Sequence, residues 1–154
     1  MLNVSYMPQE IYADNLYHLY WQNTADTQKQ ILVIEVVDRW SWDDAYQIIN
    51  HVNALLDEVD CRCYSIFYLH DKAQKALKDS FAFAHLEQLI RTDPFKEEQV
   101  YFVGKIKALR NAIYVVERVL QLFNRTTKIN FTNTVQDALE EIEDHESRMA
   151  QAAD

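Results

Sequence analysis

Seven consecutive residues, Ile31-Leu32-Val33-Ile34-Glu35-Val36-Val37, constrain this chain more than any other stretch. Side chains branched at Cβ are stiff and pack well on a pleated surface, so the run reads as a buried strand. A helix signal follows almost at once in Trp40-Ser41-Trp42-Asp43-Asp44. Ser41 is placed to cap the free N–H groups of a helix, Asp44 to return the bond three residues on, and Trp40 to staple onto Ala45. Asp43 and Asp44 also suit the positive end of the helix dipole. Ala45, Ile48, Ile49, Val52, Leu55, Leu56 and Val59 then recur at helical spacing, which predicts an amphipathic helix ending near Asp60 with one face on a sheet.

The same reading continues in both directions. Residues 1–10 read as an irregular segment, and Ile11 to Trp21, dense in Tyr and Leu, as a strand that pairs with Ile31–Val37 in an antiparallel hairpin. Tyr64 to Leu69 is a second buried strand, and the polar stretch His70 to Asp79 reads as a long loop before a helix from Ser80 to about Arg91. Gln99 to Val103 is a strand that leaves through Gly104. Leu109 to Asn124 is a helix, Lys128 to Phe131 a short strand, and Thr134-Val135-Gln136-Asp137 a second capping box that opens an acidic last helix. Residues 11–148 form one domain and 149–154 a fraying tail. The expected fold class is therefore α/β: an N-terminal β-hairpin, then alternating helices and strands on a mixed sheet.

Composition narrows the function classes. The 24 acidic and 15 basic side chains leave a formal charge of −9, a field that repels phosphate backbones, so nucleic acid and anionic membrane are poor partners. One glycine and two prolines leave no loop able to wrap phosphates as a Walker or dinucleotide motif does. No apolar run approaches the roughly 18 residues of a membrane span, and no leader-like N-terminus is read, so the expected location is cytoplasmic. Cys61 and Cys63 read as plain reduced thiols at the start of a strand, and no cofactor or metal is expected.

A catalytic reading needs a nucleophile with a base, a convergent carboxylate pair or a metal set, and none is legible; the expectation is a non-enzyme. The five histidines stand on different elements, with no pair at helical ligand spacing. Asp79 and Ser80 are the better candidates. Placed where a loop becomes a helix, Ser80 either caps that helix or accepts a phosphate that the free N–H groups would hold. The loop residues His70 and Asp71, the aromatic pair Phe81 and Phe83, and Val115, Val119 and Leu122 on the broad apolar face of the 109–124 helix make up a candidate surface. That apolar surplus is either deep core or the face that meets a protein partner, a second copy of the chain, or a hydrophobic ligand.

Several stretches resemble the STAS domain of bacterial anti-sigma factor antagonists, and its small bacterial relatives in particular. They are Ile34 to Asp43, Tyr64 to Leu69 with Asp79-Ser80, Val100 to Gly104, Asn111 to Ile113, and Ile129 to Thr134 with Ala138-Leu139. The resemblance spans about residues 11–145 and rests on their order. It implies a non-enzymatic regulatory module that works by binding another protein, with Asp79-Ser80 at the place of the family's phosphorylation motif. Here that motif reads Asp79-Ser80-Phe81-Ala82, where antagonists carry Asp-Ser-Ser-Gly. Relatives similar in topology to lipid-carrier domains imply the alternative, carriage or sensing of a small lipid-like ligand in an apolar groove.

Overall fold

The computed structural model describes residues 7–23, 29–80, 96–105 and 128–152, together with 84, 85, 88, 91, 118 and 121. Six strands run in the order of the sequence across one sheet. They are β1 (Met7–Ala13), β2 (Tyr17–Asn23), β3 (Lys29–Val36), β4 (Arg62–Leu69), β5 (Gln99–Val103) and β6 (Lys128–Thr132). The first three pair antiparallel and the rest parallel, so the sheet is mixed and opens on an N-terminal hairpin, as the sequence pattern predicts. Among the described residues there are three helices of eight residues or more: α1 (Trp42–Asp57), α2 (Asp71–Ser80) and α3 (Val135–Ala152).

Local chemistry sets the helix starts. Ser41 Oγ accepts from the Asp44 amide at 3.2 Å while Asp44 Oδ2 accepts from the Ser41 amide at 2.9 Å, which completes the capping box of α1. Thr134 Oγ1 accepts from the Asp137 amide at 3.0 Å and caps α3.

Three expectations need correction. The run Ile11 to Trp21 is not one strand. Asp14 Oδ1 accepts from the amides of both Leu16 and Tyr17, at 2.7 and 2.8 Å, and this side-chain turn folds the chain back between β1 and β2. The segment expected to be irregular therefore already contributes Met7 to Glu10 to a strand. Next, His70 to Asp79 is not a loop. Ala, Lys, Gln and Leu are strong helix formers, and Ala73 and Ala76 supply a narrow buried stripe that the surrounding charges obscure in the sequence. Finally, α3 stays helical to Ala152, past the expected start of the tail at Met149. The helices expected over 80–91 and 109–124 fall mostly outside the described residues; positions 84, 85, 88, 91, 118 and 121 are helical.

The sheet is covered on two faces. On one, Leu19, Leu32, Ile34 and Val36 pack with Ile48, Val52 and Leu56 of α1 and Ala73 of α2. On the other, Ile31, Val33, Tyr64, Ile66, Tyr101 and Val103 pack with Ala138, Leu139 and Ile142 of α3. A strand buried on both sides reads as a continuous apolar run, which explains β3. Among the described strands the order never reverses, so they form no crevice of the kind that a reversal opens in doubly wound folds.

Candidate functional site

The rim is built where β3 and β4 end. Beyond β3, the capping box holds Trp40 and Trp42 on either side of Ser41, and the two indoles meet edge to face with ring centres 5.2 Å apart. Trp40 Nε1 donates to the carbonyl of Ala73 at 2.9 Å, which ties the start of α1 to α2. Trp42 stacks on His85 with centres 5.2 Å apart and planes 12° from parallel, and the Tyr46 hydroxyl hydrogen-bonds with His85 Nδ1 at 3.2 Å. The two indoles and Tyr46 are half-buried and His85 is exposed, so the four rings form one partly solvent-facing cluster.

His70 follows β4 directly. Its amide donates to the Val36 carbonyl at 3.0 Å, and its own carbonyl accepts from the Gln74 amide at 2.9 Å in the first turn of α2. The buried Gln74 side chain donates to the Leu69 carbonyl at 2.6 Å and accepts from the Lys105 amide at 3.0 Å, which locks the ends of β4 and β5 together. Asp71 is exposed, 3.7 Å from the equally exposed Lys105, a pair that water screens.

On the α3 face, strand register gathers a second group. His18 of β2 lies opposite Glu35 of β3, and Glu35 opposite Tyr68 of β4, so the three share one row. Glu35 Oε2 stands 3.9 Å from His18 Nδ1 and 3.8 Å from His70 Nε2, while Glu35 Oε1 accepts from the Tyr20 hydroxyl at 3.4 Å. Burial and the neighbouring Glu35 carboxylate push the Tyr20 phenol up. Tyr68 stacks on His70 with centres 4.4 Å apart.

The opposite, amino end of the sheet serves attachment. Arg62, Tyr64 and Glu146 form one network there, and Lys29 pairs with Glu143 at 3.0 Å, so α3 is fastened to β3 and β4 by charge. Among the described residues, no group of three or more His, Cys, Asp or Glu is placed to hold a metal ion, and no helix is long and apolar enough to cross a membrane.

The surface expected from sequence is only partly on view. His70 and Asp71 lie at the carboxyl rim, at the junction of β4 and α2. Ser80 is the tenth residue of α2 and Asp79 its ninth, so neither opens a helix. The first turn of α2 lies at Asp71 and after, directly behind β4, and residues 81–83, where the expected helix would begin, lie outside the described residues. Phe81, Phe83, Val115, Val119 and Leu122 lie outside the described residues. Sequence reasoning missed His18, Tyr20, Glu35 and Tyr68. Their signal was the two-residue alternation of β2, β3 and β4, which becomes informative only once the register is known. No family model, curated protein or solved structure matches the chain.

Proposed function

We propose that this chain is a non-enzymatic regulatory module that binds another protein through the aromatic rim of Trp40, Trp42, Tyr46 and His85. The observation that carries the reading is the ring cluster itself: half-exposed Trp and Tyr side chains, held by a capping box and by the bond from Trp40 to Ala73. Rigid aromatic anchors of this kind supply most of the energy at protein interfaces. Asp43 and Asp71 are exposed at the same end, and the chain carries −9 overall, so the complementary partner surface is basic. The resemblance to STAS domains in the order of sequence motifs supports the same class of function. Phosphate control through Ser80 is not part of the proposal: Ser80 ends α2, and residues 81–83, where the helix expected to hold a phosphate would begin, lie outside the described residues.

The test uses a photo-crosslinking residue at Asp43 and, as control, at the exposed Glu140 of α3, in the protein's own host. A partner captured from position 43 and not from position 140 is then purified and its affinity measured. Trp42→Ala is expected to weaken binding about thirtyfold, the loss typical of an interface anchor of about 2 kcal/mol. Equal capture from both positions, or an affinity unchanged by Trp42→Ala, overturns the reading.

One observation favours a second reading, carriage of a small hydrophobic ligand. Phe67, Phe102 and Phe131 stand in one register row across β4, β5 and β6, on the α1 face, with successive ring centres 5.3 and 6.1 Å apart. All three are only partly buried. A native mass spectrum showing a lipid-sized adduct, lost in Phe102→Ser, would favour carriage over docking.

A further inference from the structure

The geometry points to a binding site for an ammonium or guanidinium group at the corner formed by Glu35, His18 and His70. His18 Nε2 lies 3.2 Å from the Asp14 carbonyl oxygen, which can only accept, so that nitrogen carries the ring hydrogen. In the neutral ring Nδ1 is then a bare lone pair, and it faces the Glu35 carboxylate at 3.9 Å. In that tautomer two acceptors stand 3.9 Å apart, beyond hydrogen-bond distance. His70 Nε2, 3.8 Å from the same carboxylate oxygen, is shut off from solvent and has no hydrogen-bond partner. Among the described residues, Glu35 has no Lys or Arg partner; its contacts are the two imidazoles and the Tyr20 hydroxyl.

What the corner lacks is a group with positive charge and several N–H donors. A nitrogen about 2.8 Å from each of two acceptors spans a gap of this width. The Tyr20 hydroxyl reaches the Glu35 carboxylate, and the Tyr68 ring, stacked on His70, borders the same corner. Glu35 is about one quarter exposed, so the charge is reachable from solvent. The acidic field of the whole chain favours the approach of cations. The same chemistry is offered by a Lys or Arg side chain of a partner and by a free amine. This inference does not depend on docking at the aromatic rim, which lies beyond the other face of the sheet.

The probes are n-butylammonium and methylguanidinium, with methylurea as the uncharged control, titrated into nitrogen-15-labelled protein at constant ionic strength. The two cations are expected to shift the His18 and His70 rings saturably, methylurea to leave them in place, and His145 at the far end of the sheet to stay unmoved. Glu35→Gln, and Glu35→Asp as a second and milder variant, are expected to weaken binding at least about tenfold. Spermidine separates the sources: binding about a hundredfold tighter than butylammonium identifies a free polyamine, and equal binding identifies a partner's side chain. No saturable shift at about 100 mM cation, millimolar binding being the weakest relevant range, overturns the proposal. So does undiminished binding by both Glu35 variants.

Discussion

Arg62 and Glu146, eighty-four residues apart, are joined by two parallel hydrogen bonds, Nε to Oε2 at 2.9 Å and Nη2 to Oε1 at 3.0 Å. The Tyr64 hydroxyl donates to the same carboxylate at 2.7 Å. One carboxylate, buried on the last helix, thus binds the start of a central strand with three donors. Charge-assisted bonds in this forked geometry are the strong ones, and they decide where α3 lies across the sheet.

Glu146→Gln is therefore expected to lower stability by about 2 kcal/mol, the range for a hydrogen bond to a charged group. The effect also has a pH signature. Burial works against the Glu146 charge, yet the bonds from Arg62 and Tyr64 hold its carboxyl below the ordinary value of 4.5. A carboxyl lowered on folding contributes stability that is present above its unfolded value and is lost as pH falls through the folded one. Urea unfolding from neutral pH down to about pH 3 should show a steeper loss for the wild type than for Glu146→Gln. Parallel pH profiles would refute the assignment.

The capping box of α1 makes a second prediction. Ser41→Ala removes the acceptor of the Asp44 amide and should cost about 1 kcal/mol, while Ser41→Asp, which restores an acceptor, should cost little. Thermal melts of both variants decide it, and an equal loss in the two would show that the hydroxyl is not acting as a cap.

The core of β4 makes a third. Ile66 is fully buried between the sheet and α3, so Ile66→Ala should cost about 2–5 kcal/mol, whereas the exposed Glu140→Ala should stay within about 0.5 kcal/mol. Denaturant midpoints at equal slope measure both. A small loss at Ile66 would mean that this face is not packed as described.

Thiol chemistry supplies the fourth. Burial, with Glu97 nearby, pushes the Cys63 thiol up to about 12, and its Sγ–H points to the Lys96 carbonyl at 3.7 Å. Since the thiolate is the reactive form, Cys63 in a Cys61→Ser background should resist a disulfide reagent at mildly alkaline pH and react at once in urea. Rapid labelling of the folded protein would contradict its burial.

Much of the fold is legible one segment at a time. The run Ile31–Val37 announces β3, and Trp40 to Asp44 announces the first turn of α1, because stiff side chains and capping acceptors act within three or four residues. The turn at Asp14 was also written in the chain, yet the surrounding Tyr and Leu residues outweighed one short Asp-Asn signal. Helix α2 escaped detection for a different reason. Among its residues of described burial the stripe is Ala73, Gln74 and Ala76, too small and too polar to announce an apolar face among lysines.

The two groups at the carboxyl rim show where local reading stops. Trp40 and Trp42 are visible as a pair in the sequence, but His85 joins them only through the fold. His18, Glu35 and Tyr68 belong to three strands whose pairing depends on burying both faces of β3 at once. A slip of one residue in either neighbour would turn His18 or Tyr68 to the opposite side and disperse the row. Hydrophobic period and capping chemistry, which act over a few bonds, were enough to determine β3 to β6, the starts of α1 and α3 and the α/β class. The corner around Glu35 and the clasp between Arg62 and Glu146 were decided by tertiary structure, because only the free energy of the whole sheet and its two covers sets the register that brings such distant residues together.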